Sequence, residues 1–577
     1  MRCFKYINLK FVLLLSGSIL NMLFMHYYSL MAIDFENRPG PGIFSNLFGC
    51  VLDVIVVYIF CKILSFGRVK LSLLLTFVVT YLLSFSNVIY SRFFGTYLPK
   101  KALTQLVNIN DGYVIDSALS VLKPIDLFFV LSLFLFILLY KKYNSIELRK
   151  YWFPSVALML VVNIVLMVMG TFAMVVTGKN SNIKSAYVVM MPNEGEGKTK
   201  PTLYMFKSGF FRRFIFNLDA YISKPQKLTY KQIKEIQEFC NKDSLRYTVR
   251  EPIRDKNLIF ILVESYLSAT SDLKVDGKEI TPFLNDLKRK SECFYNGNVH
   301  PNTKYGESSD GQLIYMTGLL PFQSDITVEV AKDCKLYGLP NLLKERGDIE
   351  ETHIILPTTS TFWLQDYMCK VYGINRIYSK ADLGNLFKDS NVSPDDANIL
   401  SFAAKTDTSL SPMRFFSLIL TLSMHGPYDK CVEHGFTLRD ESLPEQYKNY
   451  LVNCHYMDKQ IERYIKELKK KGMYDNSVIV IASDHDAHPW ALGMDGKIST
   501  NLPLYILNGE IDKKKAWQGE CNQIDVYTTL ADIYGLHEWR GLGYSLLRND
   551  YVNSVTDKTI EISELIIRSN YFLNYKK

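Results

Sequence analysis

Hydrophobic positions are spread unevenly along the 577 residues. Long, almost unbroken apolar runs crowd into residues 1–176, and the rest alternates short apolar runs, helical periodicities and polar turns. Five of the early runs read as membrane spans, at Phe11–Ala32, Ile43–Phe66, Leu71–Phe94, Ile125–Tyr140 and Tyr151–Val176. A hydrocarbon core of about 30 Å asks for about 20 apolar residues per helix, and only Ile125–Tyr140 falls short without its flanks. The basic loops all lie on one side: Arg2, Lys5 and Lys10, then Arg68 and Lys70, then Lys141, Lys142, Arg149 and Lys150. The positive-inside rule makes that side cytoplasmic and sends everything after Val176 to the other. The first run has no small-x-small cleavage site, so it reads as a retained anchor.

Beyond the spans, residues 177–255 read as a connector in which Leu228–Asn241 has the spacing of an amphipathic helix. From 256 to 550 strands alternate with helices. Leu258–Val263, Phe415–Leu422 and Ser477–Ala482 are continuous apolar runs, and Tyr447, Tyr450, Leu451, Cys454, Ile461, Tyr464, Ile465 and Leu468 recur at helical spacing. That alternation predicts an α/β domain with a mixed or parallel sheet covered on both faces. Residues 551–577 are left as a carboxy-terminal tail. Gly95–Lys123, between the third and fourth spans, is amphipathic and polar.

Charge and cysteine content narrow the classes. The formal charge of +8 comes from scattered Lys and Arg with no basic, aromatic-interleaved stripe, so nucleic acid is not an expected partner. Ten cysteines without a C-x-x-C pair argue against structural zinc, and buried free thiols are the simplest state for most. Asp53 sits mid-span in the second apolar run, where an acid marks function or a polar partner on another helix such as Asn87.

The chemistry lies in four short segments. Two apolar strands end in acids, at Val263-Glu264-Ser265 and Ala482-Ser483-Asp484-His485; between them come Gly306-Glu307-Ser308-Ser309-Asp310-Gly311 and Ser423-Met424-His425-Gly426-Pro427-Tyr428. Parallel strands deliver such residues to the carboxyl edge of a sheet. Carboxylate, imidazole and hydroxyl donors together suit a divalent cation such as Mn2+, Mg2+ or Zn2+.

In order and spacing these segments resemble the alkaline phosphatase and sulfatase superfamily, and within it the lipoteichoic acid synthase branch, whose members transfer phosphoglycerol from a membrane lipid. The resemblance implies a sulfatase-like domain behind a membrane anchor, with Gln523–Leu547 as its closing helix and last sheet region. It implies one divalent cation, Mn2+ foremost, on Glu264, Ser308, Asp484 and His485. Ser308 takes the place of the nucleophile, with Ser309 as its rival; His425 contacts substrate and exchanges protons; Trp363 belongs to the donor pocket. Three positions depart from the branch. Gln365 stands where it has an arginine, Leu356 where it has a histidine, and Glu307 where it has the lysine before the nucleophile. His353, Lys370, Arg376 and His488 are the nearby residues able to compensate. No Cys-x-Pro-x-Arg sequence surrounds Ser308, which argues against formylglycine sulfatase chemistry.

The expected function is transfer of a phospholipid head group, phosphoglycerol or similar, to an extracytoplasmic glycan, lipid or polymer acceptor through a seryl intermediate. Hydrolysis of a phosphoester or sulfoester is the alternative. A non-catalytic sensor is disfavoured by the complete ligand set.

Overall fold

The computed structural model describes residues 9–32, 43–94, 121–143, 225–241 and 251–575, less a few loop positions, with isolated positions elsewhere. Its contacts divide it into two units, one holding the N-terminal helices and the other residues 224–577.

The first unit is built from α1 (Leu9–Ala32), α2 (Ile43–Leu64), α3 (Val69–Phe94) and α4 (Leu127–Lys141). Among the described residues four helical stretches are long and apolar enough to cross a membrane, the last being Pro124–Lys141 once its leading 3-10 turn is included. The fifth expected span, Tyr151–Val176, falls largely outside the described residues. Lipid chains give helices no hydrophobic reason to associate, so ring packing and polar bonds must hold them. Phe77 stacks on Phe136 at 3.8 Å and Phe24 on Phe128 at 4.3 Å. Arg92 near the end of α3 forks onto Asp126 before α4, with Nη1 to Oδ2 at 2.6 Å and Nη2 to Oδ1 at 2.8 Å, both side chains buried. Asp53 is fully buried on α2. Asn87, its suggested partner, donates to Ser29 at 2.9 Å and accepts from the Leu98 amide at 2.8 Å.

The second unit centres on an eight-stranded sheet. Its strands are β1 (Asn257–Val263), β2 (Cys293–His300), β3 (Glu351–Ile355), β4 (Arg376–Tyr378), β5 (Phe415–Leu420), β6 (Ser477–Ser483), β7 (Leu502–Leu507) and β8 (Cys521–Asn522). Their spatial order is β8-β2-β7-β6-β1-β5-β3-β4. β7 runs antiparallel to both neighbours, β2 and β6, and the remaining pairings are parallel. β1 and β6 are buried along their whole length, which explains runs of apolar residues without alternation.

Register matters more than strand order here. Val263 pairs with Ser483 and Leu262 with Leu420, so β1, β6 and β5 end level with one another. The residues that follow, Glu264, Asp484 and Thr421, therefore share one carboxyl edge.

The helices of this unit include α5 (Tyr230–Asn241), α6 (Ser308–Thr317), α7 (Asp396–Ser409), α8 (Glu445–Lys470) and α9 (Gln523–Ile533). α8 buries Tyr450, Cys454, Ile461, Tyr464 and Leu468, the stripe read from its periodicity. The segment 551–577, read as a tail, instead contributes α10 (Asp557–Ser569). Thr556 caps it by accepting from the Thr559 amide, and Ser563 both accepts from Leu320 N and donates to Leu320 O at 2.8 Å. The nine cysteines among the described residues stand outside any disulfide.

Candidate active site

Glu264 follows β1 directly, its amide donating to Thr421 Oγ1 at 3.0 Å. Asp484 follows β6, its amide donating to Val263 O at 3.1 Å. The Ser265 amide then donates to Asp484 Oδ1 at 2.9 Å, so backbone bonds fix the two acids side by side. α6 is drawn up to this edge at Gly311. A Cβ there would lie 2.4 Å from the Asp484 carbonyl oxygen, so only glycine permits the approach. Gln523 at the start of α9 holds that same carbonyl with its Nε2 at 2.6 Å.

Ser308 opens α6, half-buried, with Oγ 3.5 Å from Glu264 Oε2. Ser309 is buried and gives its hydroxyl to Gly306 O at 2.7 Å. The two serines therefore differ: one faces the acids and the other closes a turn. Glu307, just before α6, has φ 41° and ψ −114°, a conformation uncommon for a side-chain-bearing residue.

His485 Nε2 lies 3.3 Å from Glu264 Oε1 and 3.6 Å from Asp484 Oδ2. Its Nδ1 lies 2.8 Å from the Asp486 carbonyl oxygen. A carbonyl can only accept, so in the neutral ring Nδ1 carries the proton and Nε2 turns its lone pair toward the acids. Burial and the Glu264 charge push Asp484 above the ordinary carboxylate range. Against its own burial, His425 and His485 hold Glu264 below that range. Such opposed shifts arise where two acids share one positive charge.

A cation fits this donor set. Two ligands about 2.1 Å from a metal and a tetrahedral angle apart stand about 3.4 Å from each other. The Glu264–His485, Asp484–His485 and Ser308–Glu264 spacings of 3.3, 3.6 and 3.5 Å bracket that value. With His485 neutral, its lone pair and the two acids face one point, an arrangement that a cation resolves.

His425 lies in the loop after β5, half-buried, with Nδ1 against the Gly426 carbonyl. Burial lowers its pKa, opposed by the Glu264 charge, so the neutral ring is favoured beside the acids. Trp363 and Gln365 are on a different element. Trp363 sits half-buried in the turn Phe362–Leu364 at φ 50°, its ring edge-on to Phe362. Gln365 is buried and donates Nε2 to Gln312 Oε1 on α6 at 2.9 Å, while Leu356 is enclosed at the end of β3.

Of the four compensating residues, His488 alone joins the cluster. His353 is buried on Asp407 at 2.7 Å, Lys370 lies over Tyr367, and Arg376 pairs with Glu351 at the surface. His488 Nε2 lies 3.7 Å from Glu307 Oε1, and its Nδ1 lies 3.7 Å from Asp486 Oδ2. Asp486 escaped the sequence reading. Its signal was the run Asp484-His485-Asp486-Ala487-His488, which carries acid and imidazole past the expected pair.

Residues 256–536 match the sulfatase family. They form a sulfatase-family domain. The chain is 27% identical over 513 residues to lipoteichoic acid synthase 2 of Bacillus subtilis, covering 82% of this chain and 74% of that one. To the lipoteichoic acid synthase of Staphylococcus aureus it is 26% identical over 465 residues, 77% of this chain and 68% of that. Among solved structures, the lipoteichoic acid synthase LtaP of Listeria monocytogenes aligns at a TM-score of 0.47 and 18% identity, over 60% of this chain and 99% of that. In this sulfatase-family domain the edge formed by β1, β5 and β6 carries the candidate site.

Proposed function

We propose that this membrane protein, a sulfatase-family phosphotransferase, moves a phospholipid head group onto a glycan, lipid or polymer acceptor outside the cytoplasm, using Ser308 as nucleophile. In this reading residues 1–176 anchor the chain, 177–255 connect, and 256–550 form the bulk of the catalytic domain. The observation that carries it is the division of labour between the serines: Ser308 Oγ faces Glu264 at 3.5 Å, and Ser309 Oγ is spent on Gly306 O at 2.7 Å. The relatives named above as lipoteichoic acid synthases support transfer as the reaction class.

Glu264, Asp484, His485 and Ser308 would hold one divalent cation, Mn2+ foremost on the resemblance. Bound there, it lowers the pKa of a coordinated hydroxyl and offsets charge on phosphoryl oxygens. The chain's own residues supply the rest. In the first half-reaction the Ser308 Oγ–phosphorus bond forms and the bond from phosphorus to the diacylglycerol oxygen breaks. The serine proton ends on the released diacylglycerol hydroxyl. In the second half the acceptor hydroxyl attacks phosphorus, its proton passes through Nε2 of neutral His425 to Ser308 Oγ, and the bond from phosphorus to that oxygen breaks, restoring the serine hydroxyl. His425 suits that role because Nδ1 is engaged with the Gly426 carbonyl and burial favours the neutral ring.

The test is incubation with labelled phosphatidylglycerol and phosphatidylethanolamine in parallel. Diacylglycerol release from either, lost in Ser308→Ala, supports the reading. No release from both contradicts it. Labelled head group found only in water-soluble product, with acceptors present, would favour hydrolysis.

A further inference from the structure

The candidate site is unusually rich in negative charge. Glu264, Glu307, Asp484 and Asp486 converge on it, linked through His485 and His488. Burial raises the Glu307 carboxyl above the ordinary carboxylate range, opposed by the charges of His488 and His485. The first cation also claims His485 Nε2, which leaves Glu307 and His488 over.

That remainder has the form of a second metal site. Glu307, His485 and His488 bring candidate donor atoms within 4.8 Å of one another, and with His485 Nε2 on the first cation and its Nδ1 proton given to the Asp486 carbonyl, Glu307 and His488 are the pair left to bind. The Glu307 side chain is 12% exposed and that of His488 24%, so both are partly withdrawn from water yet reachable by an ion. Asp486 Oδ2 faces His488 Nδ1 at 3.7 Å, the side from which an acid orients the ring so that Nε2 faces Glu307. An acid behind an imidazole is the usual support for a histidine ligand. The rings of His485 and His488 lie at 24° to each other with centroids 5.9 Å apart, so the two imidazoles serve adjacent points.

We propose that Glu307 and His488 hold a second divalent cation beside the first, with Asp486 orienting His488 and a phosphoryl oxygen of the substrate completing the coordination. The inference rests on the phosphotransferase reading for its substrate and on the side chains for its site. It gives the glutamate before Ser308 a role: with a cation it restores positive charge next to the nucleophile. Two protein ligands make a weak site alone, so occupancy rises when a phosphate-bearing ligand is present.

The test counts metal. Full-length protein in detergent, stripped by chelator, is dialysed against Mn2+ with and without inorganic phosphate, and bound metal is measured by mass spectrometry. Wild type is expected to take a second equivalent when phosphate is present. Glu307→Gln and His488→Asn should each stop at one equivalent while keeping the tighter one, and that retained equivalent reports an intact fold. A wild type that stops at one equivalent at saturating Mn2+ and phosphate overturns the proposal, as do variants that bind as much as wild type. Lipid turnover is scored separately. A second equivalent without diacylglycerol release sinks the transferase reading and leaves the metal site standing; release with one equivalent does the reverse.

Discussion

Gln365 donates its side-chain amide to Gln312 across 2.9 Å, and both residues are buried. Gln312 lies one helical turn along α6 from Ser308, so this bond braces the helix that presents the candidate nucleophile. The residue standing in place of the branch's arginine is thus tied to α6 packing. Gln365→Ala leaves Gln312 Oε1 buried and unpaired, at a cost of about 1–3 kcal/mol. In thermal unfolding, Gln312→Ala and the double variant should show clear non-additivity. Additive losses would mean the bond is absent in solution.

Gly311 offers a sharper test of site geometry. A Cβ there meets the Asp484 carbonyl oxygen at 2.4 Å, so Gly311→Ala must push α6 away from the Asp484 edge. A misplacement of about 1 Å can cost about a hundredfold in rate. Turnover should fall by that order with metal binding weakened alongside. Unchanged kinetics would show that α6 and Asp484 are further apart than described.

Much of this was legible in the chain. The strands ending at Val263 and Ser483 announced themselves because a strand buried on both faces is apolar throughout, and the acids after them followed. α8 was legible because its later half buries one face, Ile461, Tyr464, Ile465 and Leu468, at helical spacing, although Asn449 to Asp458 are buried all round. Gln365 was not: a buried amide pair is a contact between distant segments, and neither glutamine carries a local mark of it. Asp126 and Arg92 were missed for the same reason. The segment 551–577 looked like a tail because its apolar face, Ile562, Leu565 and Ile566, is too short to separate from background until the body it covers is known.

The Arg92–Asp126 fork carries its own prediction. Asp126→Ala strands a buried guanidinium and should destabilise the helical unit by about 3–5 kcal/mol. Arg92→Met with Asp126→Leu should recover most of that loss, read as the unfolding temperature in detergent. Equal loss in single and double variants would contradict the pairing.

Asp458 predicts a pH dependence far from the candidate site. Burial pushes its pKa up to about 7, although the amides of Phe283 and Leu284 donate to it. The folded pKa exceeds the unfolded one, so the folded state holds the extra proton. The stability it contributes is present below about pH 4 and lost as pH rises through about 7. Asp458→Asn should flatten the fall in stability across that window. An unchanged profile would show that Asp458 titrates normally.

The central claim is that Ser308 carries the phosphoryl group. Ser308→Ala should lower diacylglycerol release by several orders of magnitude with the fold intact, whereas Ser309→Ala, which loses one hydroxyl bond to Gly306, should be far milder. The most direct measurement is peptide mass spectrometry after a short pulse of labelled phospholipid, with His425→Ala used to slow resolution of the intermediate. The account predicts a head-group phosphate adduct on Ser308. An adduct on Ser309, or full turnover in Ser308→Ala, would contradict it.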